Sequence, residues 1–129
     1  MSEPRTVGPI SSGVAVGSNG VATATGISNE PITGLVLDVY LKYLDSPPAG
    51  TTVATVRTKG TSPRTPTRNI MVRTNSATDG AYPPKEAVYD AAGAAISGQY
   101  MTPTIDDLVE VVIAGANAGD SVQVWLTML

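Results

Sequence analysis

Glycine and proline punctuate this chain at the spacing of short β-strands. The 13 glycines and 10 prolines, with Asn and Asp clusters beside them, divide the apolar stretches into pieces of strand length. The residues between are rich in Thr and Val, whose branched side chains are stiff at the first torsion and favour a pleated backbone. A chain of 129 residues supplies one domain with one core. The pattern predicts an all-β, single-domain antiparallel β-sandwich or jelly roll of about eight strands. It spans residues 13–129 and follows an N-terminal arm at residues 1–12.

Strands are expected at Gly13–Val16, Val21–Thr25, Ile32–Leu44, Thr51–Thr58, Ile70–Thr74, Ala87–Tyr89, Leu108–Ala114 and Val122–Leu129. The longest, Ile32–Leu44, alternates. Leu35, Leu37, Val39, Leu41 and Tyr43 share the face expected to enter the core, and Val36, Asp38, Tyr40, Lys42 and Leu44 form a half-polar outer face. The nearly continuous apolar run at Leu108–Ala114 suits a strand covered on both sides. In the last strand Val122, Val124, Leu126 and Met128 share one face. Ser18-Asn19-Gly20, Asn75–Gly80, Asp90-Ala91-Ala92-Gly93 and Gly115–Asp120 read as turns. Residues 1–10 read as an arm or a ragged first strand, and residues 94–104 as a long connection.

The absent residue types narrow the function. With no Cys and no His there is no Ser-His-Asp or Cys-His nucleophile, no CxxC redox pair and no zinc site of the usual N/S kind. The chain is only 15% charged, against about 25% for an average soluble domain. A net charge of −3 and a pI near 4.7 argue against a nucleic-acid binder that works by bulk electrostatics. No apolar run approaches a membrane span, and the first residues do not read as a signal peptide. The glycines from Gly13 to Gly20 lack the strand-to-helix context of a phosphate loop. The expectation is a non-enzymatic protein with no catalytic, metal or cofactor residues.

The most informative cluster is basic. Arg57, Lys59, Arg64, Arg68 and Arg73 are five of the eight Lys and Arg residues and fall within seventeen positions that hold no acid. Pro63 and Pro66 make this stretch an extended surface loop. It reads as a contact to an acidic protein surface, with arginine forks pairing to carboxylates, as a solubilising loop, or as a local phosphate-backbone contact acting against the net negative charge. Asp106, Asp107 and Glu110 lie close together and have the oxygen chemistry of a hard-cation site, yet they follow no metal-loop spacing, and acids at a strand entrance are usually solvated. Trp125 is either a core anchor or the centre of a subunit interface, and Tyr40 on the outer face suits a partner. The five tyrosines lack the spacing of a base-stacking platform, and an exposed aromatic shelf for sugar is the remaining reading of them. Sparse charge with many exposed Thr, Ala, Val and Gly side chains points to an assembly component.

The succession Leu37-Asp-Val-Tyr-Leu-Lys-Tyr43, Pro48-Ala-Gly-Thr-Thr-Val53, Thr78-Asp-Gly-Ala-Tyr-Pro83, Asp90-Ala-Ala-Gly93 and Ala114-Gly-Ala-Asn-Ala-Gly-Asp-Ser-Val122 resembles small β-rich virion proteins of tailed bacteriophages, most of all capsid decoration or cement proteins. The resemblance covers roughly residues 20–129 and rests on style and motif order. It implies a subunit on the capsid exterior, made in the host cytoplasm and often a homotrimer at threefold positions, that bridges neighbouring major capsid protein subunits. Under it the arm Ser2–Ser12 would reach a neighbour and the arginine loop would engage acidic capsid surface. The expected partner-contact residues are Arg57, Lys59, Arg64, Arg68, Arg73, Tyr40 and Trp125. No cofactor, membrane or nucleic acid is expected. The competing readings are another virion component, such as a head-fibre base, neck or tail protein, and a carbohydrate- or cell-surface-binding module.

Overall fold

A computed structural model describes residues 3–44, 49–61 and 67–129. The described residues form an all-β protein of eleven strands without a helix, so no helix is long and apolar enough to cross a membrane. The strands are β1 (Arg5–Ser11), β2 (Ala22–Ile27), β3 (Ile32–Tyr43), β4 (Val53–Thr58), β5 (Asn69–Arg73), β6 (Gly80–Tyr82), β7 (Glu86–Tyr89), β8 (Ala95–Met101), β9 (Thr104–Asp107), β10 (Val109–Ala116) and β11 (Val122–Met128).

Two larger sheets carry the fold. One has the order β1-β11-β3-β6, with β9 on the first part of β3; the other has the order β2-β10-β4-β5; β7 and β8 form a separate hairpin. Every pairing is antiparallel. Four of the pairings are nested in the sequence: β4 with β5, β3 with β6, β2 with β10 and β1 with β11. Strands β7, β8 and β9 are inserted between β6 and β10.

Strand β3 departs from simple alternation. Val36 is buried and Leu37 is exposed, the reverse of the expected phase, while Val39, Leu41 and Tyr43 are buried as the alternation requires. The cause is a bulge. Along β11, Met128 faces Val36 but the next residue, Thr127, faces Asp38, so Leu37 is an extra residue in the ladder. One inserted residue moves every preceding side chain to the other side of the sheet. Even-numbered residues point inward before the bulge and odd-numbered ones after it.

Other boundaries also move. The expected strand at Gly13–Val16 is an isolated bridge between Val16 and Thr23. Of the two readings of the first residues, an arm or a ragged first strand, Arg5–Ser11 take the second: they pair with β11, and the register shifts across Gly8-Pro9, where proline has no N–H for the ladder. Residues 94–104 are chiefly β8, the returning leg of a hairpin, rather than a connection. Asp90 organises its turn. Its carboxylate accepts from the N–H groups of Ala92 and Ala94 at 2.9 and 3.0 Å, while the Gly93 N–H donates to the Asp90 carbonyl. At the Ser18 turn, the Val21 N–H donates to the Ser18 carbonyl at 3.0 Å.

One core cluster draws on both of the larger sheets. Val39 and Leu41 of β3 and Val124, Leu126 and Met128 of β11 share one hydrophobic cluster with Ala54 and Val56 of β4 and Val109, Val111 and Ile113 of β10. Each Val, Leu, Ile or Met side chain among them, fully buried, stabilises by about 1.5–3 kcal/mol. At the β1–β2 corner the chains approach so closely that a Cβ on Gly26 would stand 1.7 Å from the Ser11 carbonyl oxygen. Only glycine fits there.

Candidate binding cleft

The basic and acidic clusters of the sequence meet each other. Arg57 on β4 lies opposite Glu110 on β10 in the ladder, and its Nε donates to the Glu110 carboxylate at 2.8 Å. Lys59 Nζ stands 3.8 Å from the other oxygen of the same carboxylate. Asp107, at the end of β9, is buried and closes on the chain just after β4. It accepts from the Gly60 N–H at 2.7 Å, the Thr61 hydroxyl at 2.6 Å and the Leu108 N–H at 2.7 Å. Burial pushes its pKa up, but these hydrogen bonds outweigh that and hold the carboxyl below its ordinary value. Asp106 points elsewhere and accepts from the Thr33 hydroxyl. The three acids therefore do not converge, and among the described residues no group of His, Cys, Asp and Glu could hold a metal ion.

The rest of the basic segment turns to a different place. An open cleft of about 700 Å³ lies between β5, the turn into β7 and the β7–β8 hairpin. Its lining includes Arg68, Asn69, Arg73, Tyr82, Lys85, Glu86, Tyr89 and Tyr100. Arg68 joins the first leg of the hairpin to the start of β9. One guanidinium nitrogen donates to Glu86 at the start of β7 at 2.8 Å, and another donates to the Thr104 carbonyl beyond β8 at 3.0 Å. Arg73 lies over the Tyr82 ring, 4.4 Å from its centroid, and Lys85 lies over Tyr100 at 4.2 Å. Both are cation–π distances. The Lys85 N–H donates to the Ile70 carbonyl at 3.1 Å, tying the cleft floor to β5.

Tyr40 and Trp125 stand apart from this cleft. They face each other across β3 and β11, their ring centroids 5.9 Å apart at an interplanar angle of 62°, an edge-to-face pair. Trp125 is half-buried and Tyr40 exposed, on the side of the sheet away from the core. Trp125 is thus no core anchor. Arg64, with Pro63 and Pro66, lies outside the described residues, as does the Asp45–Pro48 part of the segment that ends β3.

The seven expected contact residues therefore divide. Arg57 and Lys59 are satisfied by Glu110, Arg68 and Arg73 enter the cleft, and Tyr40 and Trp125 share another surface. Sequence reasoning passed over Tyr82, Lys85, Tyr89 and Tyr100 as cleft residues. Their spacing follows no motif, because a turn and a hairpin bring them together. The one local signal was the Asp90–Gly93 turn, which implies that the residues on either side face each other. A comparison with protein-family models finds no match to this chain, and neither does one with curated proteins.

Proposed function

We propose that this chain is a non-enzymatic virion structural protein of a tailed bacteriophage, a decoration or cement protein that binds the capsid exterior and stabilises contacts between major capsid subunits. The observation that carries the reading is the surface. Twelve large hydrophobic side chains are exposed among the described residues, including Val14, Val16 and Val21 together near one turn and Tyr89, Tyr100 and Met101 on the hairpin. On a sparsely charged chain such surface favours contact with neighbouring subunits. Many modest contacts, repeated by symmetry, add through avidity, and a trimer engaging three equivalent sites gains effective concentration after the first.

The strand order supports the finer fold reading. With β7–β9 set aside, the nested pairs describe one long antiparallel hairpin wrapped into two sheets, the arrangement of a jelly-roll β-sandwich. Viral capsid and lectin domains share that architecture, so topology is compatible with both a shell protein and a sugar-binding module. The surface chemistry favours the shell. Arg73 and Lys85 cover faces of Tyr82 and Tyr100 that a sugar ring would need.

The test is co-sedimentation with empty shells assembled from the major capsid protein of the same genome, alongside light scattering of the free protein over a dilution series. Saturable binding at a copy number matching symmetry-related shell positions is expected. Failure to sediment with shells at any protein concentration would remove the decoration role.

A further inference from the structure

We infer that the cleft beneath the β7–β8 hairpin binds an extended polypeptide segment bearing carboxylates, gripped by Arg73 and Lys85. The inference rests on reading the chain as a binding protein and not on which surface it binds.

Charge is the first argument. Three cations, Arg68, Arg73 and Lys85, line the cleft with one carboxylate, Glu86, an excess of two positive charges on a chain whose net charge is −3. Arg68 and Glu86 neutralise each other. Arg73 and Lys85 form no ion pair among the described residues, and each is held over a tyrosine ring instead. A cation in that position loses conformational freedom without losing its N–H donors, and the arginine fork matches a carboxylate.

Shape and stacking select among anions. Strand β5 is the outer strand of its sheet; the Lys85 N–H takes its Ile70 carbonyl, and the rest of such an edge accepts a further extended segment through backbone hydrogen bonds. A nucleobase needs an open aromatic face. Of the three tyrosines in the lining, Tyr82 packs on the core cluster and carries Arg73, and Tyr100 carries Lys85. Tyr89 alone among them therefore presents an uncovered ring, short of the succession of platforms on which a nucleic-acid strand stacks. The overall negative charge also opposes a polyphosphate longer than the cleft.

The test is fluorescence anisotropy of the intact protein with three labelled probes: a short peptide of alternating Glu and Thr, the same peptide with Gln for Glu, and a short oligothymidylate. The Glu peptide is expected to bind about tenfold or more tightly than the Gln peptide, the loss anticipated when charge-assisted hydrogen bonds become neutral ones. Arg73→Gln combined with Lys85→Gln should weaken the Glu peptide by about the same factor, with an unchanged unfolding transition. Equal binding of the two peptides, tighter binding of oligothymidylate, or no binding of the Glu peptide each overturns the inference. The peptide comparison needs no variant, so it decides even if the double substitution fails to fold. No capsid enters this titration, so its failure is distinct from failure of the shell-binding test.

Discussion

Strands β8 and β10 are similar in length, yet they end in opposite environments. Val109–Ala116 has a partner on each side, β2 and β4, and none of its residues is exposed. Ala95–Met101 pairs with β7 alone, and only Ile96 is even half-buried. The hairpin contributes nothing to the hydrophobic cluster. A two-stranded hairpin is at best marginally stable alone, so this one is held by its anchors at Arg68 and Lys85. Burial therefore follows from where a strand sits in the nested order more than from its own β propensity. The nested strands supply stability, and the β7–β8 hairpin is left free to present side chains.

This contrast can be broken most directly by truncation. Ile113→Ala in β10 should cost about 2–5 kcal/mol in urea unfolding, as for other buried Ile-to-Ala changes. Tyr100→Ala in β8 should stay within about 0.5 kcal/mol. Comparable losses at the two sites would show that the hairpin shares the core's stability. A second large effect is expected at the β1–β2 corner. Gly26→Ala places a methyl group against the Ser11 carbonyl, and such overpacking against backbone should cost about 1–3 kcal/mol.

Asp107 tests how the insertion rejoins the frame. Its carboxyl titrates below the ordinary 3.8 in the folded protein. The unfolded state therefore binds the proton more readily, and the stability it contributes is full above that unfolded value. It is lost as pH falls through the lower folded value. Asp107→Asn should cost about 2 kcal/mol at neutral pH and flatten the acid limb of a stability–pH curve measured by chemical unfolding. An unchanged acid limb would assign that dependence to other carboxylates.

The smallest effect is expected at Arg68. Arg68→Met removes the brace to Glu86 and Thr104 but touches no core residue. An exposed pair of this kind is worth below about 1 kcal/mol globally. Amide exchange should nevertheless accelerate through β7 and β8 while β10 keeps its protection. Uniform acceleration would mean that the hairpin unfolds only with the whole domain.

Much of the framework was legible because its causes are local. The Asp90–Gly93 and Ser18–Gly20 turns, the single buried face of Val122–Met128 and the all-β class follow from turn chemistry and period-2 alternation. The phase of β3 did not, since the extra residue at Leu37 is defined by the register of β11. The candidate site was less legible still. Arg57 and Glu110 are 53 positions apart and are joined only by a ladder. A basic run without an acid among its neighbours in sequence therefore proved partly neutralised in space.

Residue identity within a few positions was enough for the all-β class, the turns at Ser18 and Asp90, the absence of thiol and imidazole chemistry, and the low charge. Tertiary structure alone decided which cations are already satisfied, which tyrosines gather around the cleft and which hairpin stays outside the core. Those outcomes depend on pairings between distant strands, and it is the nesting of β1 to β6 with β10 and β11 that sets them.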